Sequence, residues 1–244
     1  MNYLLLRGLG RTQGHWGVFS QKLKDLGEVY SIDLPGFGEE SQASVPLTID
    51  EHVDFLRRQW REREAAEGNV VLIGLSLGGM VALKWLEKYP KDFHAGVIIN
   101  SSSANGMNHF RRLRPKGAYG LARVALAKSD YEKELFSLEL TSFNNKNNLS
   151  VLTEWLDLRE RYPLNHKSVV RQLVAAGLFR RPKKIDVPLL FLASKQDKLV
   201  NYRNTRDLAK ALKGEFHLCE SAGHDLTLDE PDWAIEKISG FLKR

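Results

Sequence analysis

Asn69-Val-Val-Leu-Ile-Gly-Leu-Ser-Leu-Gly-Gly-Met80 is the most informative stretch of the chain. Val70 to Ile73 is an unbroken apolar run, as in a parallel strand buried on both faces. From Met80 to Tyr89 the apolar residues recur at helical spacing. Between the two lies Gly74-Leu-Ser76-Leu-Gly78, which fits G-x-S-x-G. A strand that turns sharply into a helix needs no side chains two positions before and two after the serine. The turn forces Ser76 into a strained backbone conformation and exposes its hydroxyl at the carboxyl end of the strand. The first N–H groups of the following helix lack intrahelical partners and lie beside that hydroxyl.

Working outward, strands and helices alternate. Upstream, Tyr3 to Leu6 reads as a buried strand running into Arg7-Gly-Leu-Gly10. A helical pattern covers Trp16 to Leu26, and Val29 to Ile32 is a second strand ending in Asp33-Leu-Pro-Gly-Phe-Gly38. Residues 48–67 read as a charged amphipathic helix, with Thr48 as N-cap and Glu51 three residues later. Downstream, the strand Gly96 to Ile99 ends in Asn100-Ser-Ser-Ser103. Alternation resumes with the strand Val187 to Ala193 and a helix Asn201 to Leu212. The strand Glu215 to Cys219 and a helix from about Asp232 to Leu242 close the chain. This pattern predicts an α/β fold with a parallel sheet of about six strands, flanked by helices on both faces.

From Ala104 to Lys184 the alternation stops. Leu149 to Tyr162 and Lys167 to Phe179 are its clearest helices, and Asn144 to Asn148 reads as a loop. The expected organisation is a core of residues 1–103 and 185–244, with residues 104–184 inserted as a helical cap. Such a cap leaves the sheet at a strand's carboxyl end and lies over that edge, where open α/β sheets bind ligands.

The 244 residues are 43% hydrophobic and 27% charged, a globular composition. Cys219 is the single cysteine, so no internal disulfide forms, which leans towards a reducing, cytoplasmic compartment. Met1 to Arg7 lacks the features of a signal peptide, and no apolar run reaches transmembrane length. The net charge is +6, unevenly spread. Residues 104–184 hold 16 Lys and Arg against 7 Asp and Glu, net +9, and the remainder nets −3.

At this point the chain resembles the α/β-hydrolase family over nearly its whole length. Four pieces carry the likeness in the family's order: Arg7-Gly-Leu-Gly10, Asp33-Leu-Pro-Gly-Phe-Gly38, the Ser76 turn, and Asp197 followed by His224. The resemblance implies Ser76 as nucleophile, His224 as base and Asp197 as the acid that orients it. A serine hydroxyl needs a base to take its proton, and imidazole titrates near neutral pH. A carboxylate at Asp197 accepts from one imidazole nitrogen and stabilises the imidazolium. Asp225 is a weaker rival, since adjacent side chains rarely face each other. The resemblance further implies an oxyanion hole from the backbone N–H groups of Leu9 and Leu77, with Gly8 and Gly10 letting the first loop approach substrate.

There are departures. The family's oxyanion loop usually begins with histidine, and here Arg7 stands in its place. With the oxyanion strand starting at about Asn2, the expectation is six strands in the order 2-1-3-4-5-6, without the family's amino-terminal strand pair. The Gly-x-Gly-x-Ser ending of the second loop is lengthened to Gly-Phe-Gly-Glu-Glu-Ser41, and Asp33 reads as structural. His15 and Ser101 are further pocket candidates. Trp16 reads as a core anchor, and Ser101 and Ser102 suit turn formation equally well. Phe110, Tyr119, Trp155 and Phe179 suit either an acyl pocket or packing of the insertion. No metal-ligand cluster, Walker loop or G-x-G-x-x-G is present, so no cofactor or metal is implied.

The implied activity is hydrolysis of a small-molecule carboxylic ester through an acyl-enzyme, by a serine rather than the aspartate of the family's dehalogenases. The basic insertion suggests a narrower variant acting on acyl-carrier-protein-bound or anionic lipid substrates, a layout similar to pimeloyl-acyl-carrier-protein methyl esterases. A merely solvated helical face explains the charge as well. A receptor or scaffold on the same fold is the alternative of another class. Nucleic-acid binding through Arg111–Lys116 and Arg180–Lys184 is disfavoured, because no recognition module accompanies those runs.

Overall fold

The computed structural model describes residues 1–63, 68–104 and 113–243. Six parallel strands form one sheet: β1 (Asn2–Leu6), β2 (Glu28–Ser31), β3 (Val70–Leu75), β4 (Ala95–Ile99), β5 (Leu189–Ser194) and β6 (Glu215–Cys219). Their spatial order is β2-β1-β3-β4-β5-β6, the order that the family resemblance implied. The apolar runs fill the two central strands, β3 and β4, which are buried along their whole length.

Side chains alternate across the sheet. On one face Leu4, Leu6, Val70 and Leu72 pack against α2 (Ile49–Arg61), α3 (Leu77–Lys88) and α8 (Tyr202–Leu212) through Trp60, Trp85 and Leu208. On the other face Tyr3, Leu5, Val71 and Ile73 meet α1 (Gly17–Leu23) and α10 (Pro231–Leu242) through Phe19, Leu23 and Ile238. Trp16 is buried in this second layer, in the core role expected of it. Cys219, also in this layer, is a free thiol.

Helix α2 starts where expected. Thr48 Oγ1 accepts the Glu51 N–H at 3.3 Å, and its hydroxyl donates back to the Glu51 carboxylate at 2.7 Å. The helix ends at Arg61 rather than running to residue 67, and residues 64–67 lie outside the described part. Asp33 holds the turn after β2. Its carboxylate accepts the N–H of Gln13 at 2.5 Å and of Glu39 at 3.0 Å. Burial outweighs these bonds and pushes its pKa up to about 6.

Among the described residues, four helices lie between β4 and β5: α4 (Pro115–Leu126), α5 (Asp130–Thr141), α6 (Leu149–Arg161) and α7 (His166–Leu178). The last two match the periodicity. The first two were not anticipated, and neither was the four-residue α9 (Leu226–Asp229). Helix α4 has only Gly117 fully buried, so it carries no apolar core stripe to read. Helix α9 is shorter than any periodic signal. Phe110, Arg111 and Arg112 lie outside the described residues.

Parallel register brings the strand ends together. Leu6 pairs with Gly74, Leu75 with Ile99, and Ser194 with Cys219. The loops that follow β1, β3, β4, β5 and β6 therefore leave the sheet at one edge. The β3–α3 turn is packed without slack. A Cβ on Gly78 would sit 2.1 Å from the Leu6 carbonyl oxygen and 2.6 Å from that of Arg7. Gly78→Ala is expected to cost about 3 kcal/mol by forcing backbone apart. In thermal unfolding this should read as a fall in Tm of roughly 6–12 °C for a chain of this size.

Candidate active site

Ser76 sits between β3 and α3 with φ 57° and ψ −114°, a conformation a non-glycine residue holds only under constraint. The constraint is visible. Its N–H donates to the Ile99 carbonyl at 2.8 Å. Its carbonyl accepts the N–H groups of Gly79 and Met80 and the Ser101 hydroxyl, the last at 2.8 Å. Leu77 opens α3, so its N–H has no carbonyl one turn back.

His224 and Asp197 meet 27 residues apart. His224 Nδ1 lies 2.7 Å from Asp197 Oδ2, and both side chains are buried. Asp197 Oδ1 accepts the N–H groups of Leu199 and Val200 at 2.7 and 2.9 Å, which fixes the carboxylate's rotation. Burial works against the imidazolium. The Asp197 carboxylate outweighs it and holds the His224 pKa above the ordinary value. A carboxylate acceptor at Nδ1 puts the ring proton there and leaves the Nε2 lone pair free to act as a base.

Ser76, Leu77, His224, Gly8, Leu9 and Gly10 line one cavity of about 510 Å³. Its walls come from the loop after β1, the serine turn and the helices between β4 and β5, and they are mainly aliphatic: Leu121 and Val124 of α4, Leu140 of α5, Val169 and Leu173 of α7. Gly8 gives the loop after β1 room beside the serine, since a Cβ there would lie 3.2 Å from Ser76 Cβ. Gly10 has φ 65°, in the left-handed region.

Several candidates fall elsewhere. His15 does not line this cavity. It packs 5.4 Å from the Trp155 ring, with Arg11 Nη1 3.0 Å from its Nε2. Burial and then the neighbouring Arg11 and Arg7 charges push its pKa well down, so it is neutral. Ser101 is fully buried beneath the serine turn and braces it, while its neighbour Ser102 lines the cavity. The aromatic floor does not form among the described residues. Trp155 and Phe179 are buried in packing clusters and Tyr119 points outward, 70% exposed.

Other residues carried no clear signal in the sequence. Arg7, in the usual histidine's place, reaches Asp225. Its Nη2 and Nη1 donate to the two carboxylate oxygens at 2.5 and 3.3 Å, and Thr227 donates to the same carboxylate at 3.0 Å. Asp225 is therefore engaged away from the imidazole. Burial opposes its ionisation, but Arg7 holds its pKa below the usual carboxylate value. Asn100, at φ 45°, donates through Nδ2 to the His224 carbonyl at 2.8 Å and accepts the Ser194 N–H at 2.8 Å. It ties the ends of β4 and β5 to the histidine loop. An asparagine just past a buried strand was the only available hint.

The helices between β4 and β5 brace the same loops. Arg114 donates to the Asp197 carbonyl at 2.6 Å, and the Thr141 carbonyl accepts the Asp225 N–H at 2.8 Å. Gln172 of α7, fully buried, accepts the Gly10 N–H at 3.3 Å. Glu134 of α5 accepts from Arg11 at 2.6 Å.

Residues 3–237 match the profile of the alpha/beta hydrolase family, so the chain belongs to that family. Among curated relatives, it is 25% identical to abhydrolase domain-containing protein abhd-5.2 of Caenorhabditis elegans, covering 98% of this chain and 58% of that one. It is 23% identical to human monoacylglycerol lipase ABHD6 (98% and 74% covered). It is 24% identical to the pimeloyl-[acyl-carrier protein] methyl ester esterase of Vibrio cholerae (99% and 94% covered). A solved structure of a lipase-like protein, lip1 of Acinetobacter baumannii AYE, superposes with a TM-score of 0.78 at 25% identity, covering 99% of this chain and 83% of that one. Lipases and esterases thus stand among its relatives. No helix of the described residues is long and apolar enough to cross a membrane, and none of their His, Cys, Asp and Glu side chains cluster as metal ligands.

The Arg7–Asp225 pair makes a double-mutant test possible. Asp225→Ala strands a buried guanidinium and should cost about 3–5 kcal/mol, whereas Arg7→Met with Asp225→Leu should recover most of the loss. Urea denaturation midpoints, at constant slope, measure both.

Proposed function

We propose that the protein is a serine hydrolase of carboxylic esters, with Ser76, His224 and Asp197 as its triad. The observation that carries the reading is the buried 2.7 Å contact between His224 Nδ1 and Asp197 Oδ2, beside a cavity that Ser76 and His224 both line. Ser76 Oγ attacks the ester carbonyl as His224 Nε2 takes its proton. The N–H groups of Leu9 and Leu77 receive the developing oxyanion. His224 then protonates the leaving alcohol, and a water activated by the same imidazole releases the acid. The aliphatic walls suit an acyl chain, and on this reading the acyl group of the substrate lies among the α4, α5 and α7 side chains.

A narrower reading takes residues 104–184 as a cap that recognises an acyl-carrier-protein-bound or anionic lipid substrate. The net +9 of that segment favours it. The relative from Vibrio cholerae, whose name specifies a carrier-linked methyl ester, is consistent with it. The buried thiol of Cys219 and the absence of a spanning helix among the described residues fit an enzyme of the cytoplasm.

Turnover of p-nitrophenyl esters tests the reading. Ser76→Ala should lower kcat by at least about 1000-fold with the fold intact, and binding without turnover in the wild type would instead favour a receptor. The pH profile carries a second test. The base works when neutral, and its pKa is raised above 6.5, so kcat/KM should rise with pH through a midpoint above 6.5. Asp197→Asn should move that midpoint down and lower kcat by roughly 10,000-fold.

A further inference from the structure

We propose that Arg159 forms an anion subsite in the cavity of Ser76, so that the preferred substrates are esters that also carry a carboxylate. The proposal rests on the ester-hydrolase reading of the same cavity and narrows it to a substrate class.

The starting point is a buried charge that does not balance. Arg159 lies on α6, lines the cavity, and its side chain is 8% exposed. Its Nε donates to Glu134 Oε1 at 2.8 Å, and its Nη2 donates to the same oxygen. Arg11 takes the other oxygen of that carboxylate at 2.6 Å. Two guanidinium cations therefore share one carboxylate. The cluster nets one positive charge in a buried setting. Arg159 Nη1 is buried and has no hydrogen-bond partner among the described residues.

No free carboxylate among the described residues that line the cavity offsets the charge. Asp225 is the only carboxylate residue among the described residues that line the cavity, and Arg7 already occupies it. His15, beside Arg11, is held neutral by burial and by the same positive field. Lys133 also lines the cavity but is paired with Asp130 at 3.0 Å. A fixed cation in a largely aliphatic cavity is unfavourable until an anion joins it. A carboxylate is the matching group, because it is planar and takes two N–H bonds from a guanidinium side by side. Gln172 Nε2, also buried without a partner, belongs to the residue that accepts the Gly10 N–H. Gly10 and Arg159 both line this cavity, so the subsite shares its walls with the loop after β1.

The test compares a methyl hemiester of a straight-chain dicarboxylic acid with the dimethyl ester of the same acid. The readout is the ratio of their kcat/KM values, in which general damage to the enzyme cancels. The wild type should prefer the hemiester by about tenfold or more, the ratio expected for one charge-assisted pair. Arg159→Met should bring the ratio to near one, mainly through KM, and Arg159→Lys, which keeps the charge without the planar fork, should fall between. A wild-type preference for the diester, or a ratio unmoved in both variants, would overturn the proposal.

A second measurement separates this idea from the esterase reading. Ser76→Ala should bind the free dicarboxylate in calorimetry, and adding either Arg159→Met or Arg159→Lys should weaken that binding at least tenfold. If neither ester is hydrolysed but this binding behaves as stated, the subsite stands and the esterase reading falls. If the binding does not depend on Arg159, the subsite falls whatever the turnover.

Discussion

The close approach of α3 to β1 is the constraint that the rest of the site obeys. Gly78 lies against the carbonyls of Leu6 and Arg7, with no room for a side chain. This contact sets the helix amino terminus flush against the sheet and bends the chain through Ser76 at φ 57°. The conformation costs on the order of 1–3 kcal/mol. It persists because the Ile99 carbonyl, the Ser101 hydroxyl and two helix N–H groups hold the Ser76 peptide groups from both sides. A relaxed turn would let the serine rotate away from the cavity it lines.

Parallel register supplies the next level of order. Adjacent strands end at matched positions, so their loops emerge at one edge without further instruction. Asn100 links two of these loops to the histidine segment by side-chain bonds. The segment between β4 and β5 then touches the loops after β1, β5 and β6: Arg114 at Asp197, the Thr141 carbonyl at Asp225, Gln172 at Gly10, Glu134 at Arg11. These helices therefore do more than roof the cavity. Their polar side chains hold the loops that line it, and a shift of α5 or α7 would be felt at the loop after β1.

Buried charge marks where this chain departs from its family's usual pattern. Arg7 needs a carboxylate partner once it replaces a histidine at a buried position, and Asp225 provides one with two oxygens. The pair spans 218 positions in sequence and clamps the loop after β1 to the histidine loop. The Arg11–Glu134–Arg159 cluster is built from the same kinds of group but is left with a positive remainder.

The sequence by itself determined the strands, their parallel pairing and the position of the serine turn, while their spatial order was implied by the family resemblance. Those features rest on local rules: apolar runs set strands, glycines permit the sharp turn, and alternation with helices sets parallel pairing. The family resemblance supplied the order of Ser76, Asp197 and His224, and each follows a recognisable strand. Only the tertiary structure decided what surrounds them. The partner of Arg7, the packing of His15 against Trp155 outside the cavity, the bracing role of Ser101 and the aliphatic lining all depend on groups distant in sequence. No local pattern encodes which of two adjacent carboxyl-bearing loops an arginine will reach, since that choice is made by packing after the strands have aligned.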